Sequence, residues 1–217
     1  VAGFYHALTE YGTMSWKEVL APSITLAEKG FVVPHDLANT LASSTYRKRL
    51  SSNAAAAASF YKEDGSLYKA GEVLVQKDLA WTLKQLSEYG PDAFYKGAIA
   101  EKIVAEMEKN DGLITLEDLE NYTIVERVPV EGTYNGYKIV SMPPSSSGGT
   151  HLVQMLNMLE EFPIKELRFG SADNIHLMAE VMKRAYADRS KYLGDSDFYA
   201  VPSSLTNKDY ANELNKD

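Results

Sequence analysis

One stretch alone, residues 123–142, alternates polar and apolar positions and concentrates β-branched and aromatic side chains: "TIVERVPVEG" followed by "TYNGYKIVSM". Period-two alternation marks strands that bury one face, so two strands are expected here, with "YNG" a turn signal that interrupts the second. Apart from a short hairpin signalled over residues 60–74, everything on either side is punctuated as helices. No alternating strand–helix series and no internal repeat accompanies the strands, so the expected fold class is α+β, helix-rich, with its few strands near the middle.

The helical punctuation is local and can be read residue by residue. Ser15 stands three residues before Glu18, a capping-box spacing, ahead of "WKEVL". Pro22 suits the first turn of a following helix, "SITLAEK", and Gly30 supplies its stop. "HDLANTLASSTYRKRL" reads as one further helix, and the turn signals "EDG" and "KAG" predict a short hairpin over residues 60–74. The alanine run at 54–58 has high helix propensity and no polar face. Asp78 is placed to cap "LAWTLKQLSEYG", in which Leu79, Leu83 and Leu86 share one face. Pro91 opens the next segment, where Ile99, Ile103 and Met107 stay on one side, and Thr115 opens a short helix over "LEDLENY". Ser171 caps the longest helix, "ADNIHLMAEVMKRAYADRSKYLG".

Composition removes several classes of function. With 30 acidic against 22 basic residues and no long run of either sign, the chain presents nothing that would draw in a polyanion, so no nucleic-acid partner is expected. The absence of cysteine removes disulfides, thiolate metal sites and a thiol nucleophile together. No apolar run approaches the roughly 20 residues a membrane helix needs. Val1 begins without a basic or apolar leader and "NKDYANELNKD" reads as a helix without a stop, so both ends read as cuts within something longer.

Three constellations are candidate sites. Ser145, Ser146 and Ser147 run through Gly148 and Gly149 into a helix that carries His151, four residues beyond the last serine. A serine nucleophile needs a base in reach, a third group to orient it and usually the strained G-x-S-x-G turn, none of which this spacing supplies. The adjacent glycines and the lack of a lysine equally rule out the dinucleotide and Walker fingerprints, which leaves a helix N-terminus able to hold an anion. The bland reading is a strand-to-helix turn in which prolines end the strand, a serine caps and glycines allow a tight bend. His176 and Glu180, with Asp173 before them, fall on one helix face, but no further ligand completes a metal site, so a partly buried histidine paired with the glutamate is expected. In "RAYADRSKYLGDSDF", Asp188, Arg189, Asp195 and Asp197 suit a polar network, and Asp195-Ser196-Asp197 lacks the order of a calcium loop; helix termination with salt bridges between elements is expected. The residues thus offer no complete catalytic set and no cofactor or metal site.

Read in order, several segments resemble the γ-glutamyltransferase family, also called γ-glutamyltranspeptidase or glutathione hydrolase. "VAGFYHALTEYGTMSWKEVLAPSITLAEKGF" and "FYKGAIAEKIVAEMEKNDGLITLEDLENY" are similar to its successive segments. "YNGYKIVSMPPSSSGGTHLVQMLNMLE" resembles its proline-serine-glycine signature, and "AYADRSKYLGDSDF" its tyrosine-alanine-aspartate-arginine-serine signature. Ser145 replaces a third proline often seen in the family, and Ser196 replaces the proline of its usual "GDPDF". The resemblance implies an N-terminal-nucleophile hydrolase: a precursor that cleaves itself into two subunits, joined in an αββα sandwich. A threonine at the start of the small subunit attacks the γ-glutamyl amide of glutathione and passes the γ-glutamyl group to water, an amino acid or a peptide. On this resemblance residues 1–217 form part of the large subunit with no independent second domain. The nucleophilic threonine, the carboxylate-gripping arginine and the paired serines of the family then lie outside it, and no catalytic, cofactor-binding or metal residue is carried over. The expected partner is the small subunit, and the location implied is periplasmic or secreted. Two alternatives remain: a segment of a related, cephalosporin acylase-like enzyme, and a non-catalytic helical binding module.

Overall fold

The computed structural model describes residues 1–216, which form two compact units, Val1–Ile124 and the chain from Val125 onward. The first unit is almost entirely helical: α1 (Ala2–Tyr11), α2 (Trp16–Lys29), α3 (His35–Ala42), α4 (Ser44–Ser51), α5 (Ala54–Phe60), α6 (Lys77–Tyr89), α7 (Asp92–Tyr95), α8 (Ala98–Lys109) and α9 (Leu116–Glu120). The capping box expected at Ser15 forms, and a second one forms at Thr115. Glu18 Oε2 accepts from Ser15 N at 2.7 Å, and Asp118 Oδ2 accepts from Thr115 N at 2.8 Å.

α2 lies along α6, held by the Trp16 indole donating to the Leu86 carbonyl at 2.7 Å and by the Lys84–Glu28 ion pair. Leu86, Ala93 and Ile99 are the buried centre, with Leu20, Phe94 and Ile103 packed against it. This packing corrects the reading of Pro22. The proline sits inside one continuous helix, because tertiary burial outweighs the hydrogen bond its missing N–H forfeits. The hairpin expected over residues 60–74 is also absent. β1 (Phe31–Val32) instead pairs antiparallel with β2 (Val73–Leu74), Phe31 opposite Leu74, and the intervening loop is clamped by Lys62 and Glu72 at 2.8 Å. The segment "HDLANTLASSTYRKRL" breaks at Ser43, whose side chain accepts from Tyr46 N and starts a new helix. α6 starts two residues earlier than expected, so Asp78 falls in its first turn rather than at its cap. Gly97 divides α7 from α8.

In the second unit β3 (Val130–Tyr134) and β4 (Tyr137–Ser141) form an antiparallel hairpin. Asn135 and Gly136 have φ of 48° and 83°, the two positive values that a two-residue hairpin turn requires. "NG" therefore joins the strands instead of interrupting one. Upstream, "TIVERV" adds nothing to the ladder, and the strand begins just after Pro129, which has no N–H to donate. α10 (Gly148–Leu159) packs on both strands, on α11 (Ala172–Tyr192), on α12 (Lys208–Leu214) and on a 3₁₀ turn at Ser203–Thr206. Met158, Leu159, Val181, Ala185 and Ala211 make its core. Val153 and Met158 are wholly buried, and each such side chain contributes roughly 1.5–3 kcal/mol. No helix among the described residues is long and apolar enough to cross a membrane.

Candidate functional site

The serine–glycine turn that precedes α10 is built by close approach of two backbones. A Cβ on Gly149 would lie 2.9 Å from the Met142 nitrogen and carbonyl carbon, and closer still to its oxygen. Only glycine lets the end of β4 and the start of α10 come this near. Gly148 has no such constraint, its nearest prospective neighbour being the Ser146 hydroxyl at 3.5 Å. Within the turn, Ser146 Oγ accepts from Gly148 N at 3.3 Å, and Ser147 Oγ accepts from Arg189 Nε at 3.4 Å. Pro143 and Pro144 face an open pocket of about 380 Å³ shared with Arg127, Ser196 and Tyr199.

His151 does not serve the serines. It is buried at 6% exposure, its Nε2 has no hydrogen-bond partner, and its backbone N–H donates to the Ser147 carbonyl in the ordinary helical way. Burial, and then the nearby Arg189 guanidinium, hold its pKa below the usual histidine value against the pull of Asp188. The ring is therefore neutral at pH 7 and rests 5.6 Å from that of Tyr186. Exposed hydroxyls beside a buried, neutral imidazole that they do not bond make no nucleophile–base pair.

One turn deeper, the polar network expected of Asp188 forms, with partners that the sequence did not announce. Gln154 Nε2 donates to Asp188 Oδ2 at 2.5 Å, and the Tyr210 hydroxyl donates to the same oxygen at 2.9 Å. Three helices, α10, α11 and α12, thus meet on one buried carboxylate. Desolvation, reinforced by the bond to Asp188, pushes the Tyr210 phenol up to about 12. Asn157, one turn beyond Gln154, donates to the Thr206 carbonyl at 2.8 Å and so holds the 3₁₀ turn. The available signal was the row His151, Gln154, Asn157, polar residues three apart within an otherwise apolar helix. The remaining members of the "RAYADRSKYLGDSDF" stretch act as expected of helix termination and ion pairing. Arg127 donates to Ser196 Oγ at 2.9 Å and to Asp197 Oδ1 at 2.6 Å, and Asp195 accepts from Asp197 N at 3.0 Å.

The pairing expected of His176 and Glu180 does not form. His176 and Asp173 are exposed, and Glu180 turns to its own helix, accepting from Lys183 at 2.8 Å and from Arg184 at 2.6 Å. Lys183 and Arg184, three and four residues along the same helix, take up the carboxylate with charge-assisted hydrogen bonds. Their hydrogen bonds, from Lys183 first and then Arg184, lower the Glu180 pKa from 4.5 to about 2. A folded-state value below the unfolded one stabilises above about pH 4.5, and that contribution is lost as pH falls toward 2. Glu180→Gln should therefore lower the unfolding temperature at neutral pH, with the gap from the parent narrowing as the pH drops below about 4.5; a gap that is constant with pH would refute the assignment. Among the described residues no group of three or more histidine or acidic side chains is placed to hold a metal ion.

The arrangement gives a serine turn at the start of α10 with one guanidinium beside it, and among the described residues no complete catalytic set. Comparison with known proteins extends it. The family profile described as Gamma-glutamyltranspeptidase matches residues 1–217. The glutathione hydrolase proenzyme of Escherichia coli (strain K12) is 51% identical over 215 residues, which cover 99% of this chain and 37% of that protein. The acylase ACY 1 proenzyme of Pseudomonas sp. (strain SE83) is 42% identical over 212 residues, 97% of this chain and 38% of that protein. Among solved structures, the crystal structure of Helicobacter pylori gamma-glutamyltranspeptidase superposes with a TM-score of 0.96 at 45% identity, covering 100% of this chain and 62% of that one. The chain thus spans little more than a third of the length of these curated relatives.

Proposed function

The chain belongs to the gamma-glutamyltranspeptidase family, and from that premise we propose that it is part of the large subunit of an enzyme that cleaves the γ-glutamyl amide of glutathione and related compounds. The observation that carries this reading is the family match over the whole of residues 1–217. The "proenzyme" in the relatives' names supports a precursor that is cut into subunits. On this reading the chemistry belongs to a threonine freed at the N-terminus of the small subunit. Its hydroxyl attacks the γ-carbonyl and its α-amino group takes the proton. The amine of the donor leaves, and the γ-glutamyl ester is passed to water, an amino acid or a peptide.

Such a mechanism activates its nucleophile without histidine, and the buried, neutral His151 fits it. The role of this chain is then structural. The β3–β4 hairpin contributes strands to an αββα sandwich, α10 and α11 form part of a helical layer, and the serine–glycine turn is a joint between the two. The catalytic threonine and the groups that grip the substrate lie outside residues 1–217, and the full protein works in the periplasm or outside the cell. The similarity to an acylase at 42% identity favours a second reading, in which the same scaffold carries a nucleophile that deacylates another amide.

The test uses the full-length protein and the segment side by side. With γ-glutamyl-p-nitroanilide, the full-length protein should release p-nitroaniline and residues 1–217 alone should release none. Release by the segment would overturn its scaffold role. A full-length protein inert toward the γ-glutamyl compound but active on an acylated β-lactam would favour the acylase.

A further inference from the structure

At the tip of the β3–β4 hairpin, a reactive pair of residues sits on a backbone that can bring its atoms together. Asn135 and Gly136 are exposed, and a Cβ on Gly136 would meet nothing within 4 Å. When glycine follows asparagine, no side chain hinders the glycine amide nitrogen from reaching the asparagine side-chain carbonyl carbon. Both residues have positive φ, 48° and 83°, the pattern of a type I′ turn. In that turn ψ of the first central residue is about +30°, which points the following nitrogen away from the side chain. The other favoured two-residue hairpin turn, type II′, keeps φ of that residue near +60° and moves its ψ to about −120°. This ψ brings Cβ and the following nitrogen onto one side of the Cα–C bond, with the nitrogen facing Cγ. The change is a rotation of one peptide plane, Asn135 to Gly136, and the new φ of about −80° is as open to glycine as the old one. The Asn135 N–H, which donates to Glu160 Oε1 at 2.7 Å, and the pairing of Tyr134 with Tyr137 lie outside that plane.

We propose that Asn135 is a site of spontaneous covalent modification in the folded protein, its side-chain amide converted to aspartyl and isoaspartyl forms through a cyclic imide. The Gly136 nitrogen attacks Asn135 Cγ. The new C–N bond closes the imide, and the side-chain nitrogen leaves as ammonia with the proton that Gly136 gave up. Water then opens the ring, at the side-chain carbonyl to give aspartate or at the main-chain carbonyl to give isoaspartate. Two Asp–Gly pairs that could cyclise in the same way are held. Gly65 N donates to the Lys62 carbonyl at 2.8 Å and Gly112 N to the Met107 carbonyl at 2.7 Å, whereas Gly136 N has no such acceptor among the described residues. The aspartyl product sets a second carboxylate beside Glu160. The isoaspartyl product adds a methylene to the main chain of a two-residue turn. That works against both the Tyr134–Tyr137 pairing and the bond to Glu160, and it reaches Tyr134, which packs against the core of the second unit.

Ageing of the full-length protein at mildly alkaline pH tests this, with far-UV circular dichroism confirming that it stays folded. Mass-spectrometric peptide mapping should show the amide-to-acid mass change at Asn135 several-fold faster than at the exposed Asn39 and Asn53, which are followed by threonine and alanine. Aspartyl and isoaspartyl peptides should both appear. Asn135→Gln, whose longer side chain would have to close a larger ring, should stay unchanged at that position over the same time. No change at Asn135 in the folded protein, or a rate no higher than at Asn39 and Asn53, would overturn the proposal. So would aspartate as the sole product, because that marks direct hydrolysis of the side chain without the imide.

Discussion

Gly149→Ala should destabilise the protein by about 3 kcal/mol or more, while Gly148→Ala, one residue earlier, should be neutral or stabilise it by up to about 1 kcal/mol. The two glycines look interchangeable in the sequence and occupy successive positions at the start of α10. What separates them is the partner a methyl group would meet. At 149 it meets the backbone of Met142, with nitrogen and carbonyl carbon both at 2.9 Å, and no rotamer change moves a main chain aside. Relief requires β4 and α10 to separate. That loosens the contact of Val153 with Gly132, where a Cβ would already lie 2.6 Å from the valine side chain. At 148 the nearest group is the far end of an exposed serine, in ordinary van der Waals contact, and alanine raises helix propensity at an exposed position. Chemical denaturation of the two variants decides the matter. Equal stabilities would mean that the joint is not close-packed.

That contrast marks the limit of what the sequence discloses. Capping is legible because its partners lie three residues apart: Ser15 with Glu18, Thr115 with Asp118, and Ser171 with the amide of Asn174 all follow from spacing. The hairpin turn at Asn135–Gly136 was equally local, and its misreading came from extending the upstream strand through Pro129 rather than from a weak signal. Pairing of Phe31–Val32 with Val73–Leu74 was not legible, because two-residue strands carry no period and their partners are separated by three helices. The candidate site divides in the same way. The bland reading of the serine stretch as a turn could be made from its prolines and glycines. Which glycine is indispensable, and that Glu180 prefers its own helix's cations to His176, depend on distances that only the folded chain sets.

The most costly single truncation away from that joint should be Asp188→Ala, at about 3 kcal/mol. Asp188 is 8% exposed and accepts from both Gln154 and Tyr210, so its removal strands a buried amide and a half-buried hydroxyl on two other helices. Each stranded donor costs about 1–3 kcal/mol, and the gain from no longer burying a carboxylate offsets part of the sum. Asp188→Asn keeps an acceptor of the same shape and should cost less than half as much, since it forfeits the charge of the acceptor but not the hydrogen bonds. Tyr210→Phe removes one donor and leaves the Gln154 bond intact, so it should fall between the parent and Asp188→Ala. The Asp188→Ala and Tyr210→Phe changes should also fail to add when combined, because both act through the same oxygen, and a coupling of about 1 kcal/mol or more is expected from the double-mutant cycle. Additive effects would show that the three helices do not share one carboxylate. The network would then be two separate polar contacts rather than the pin that holds α10, α11 and α12 together.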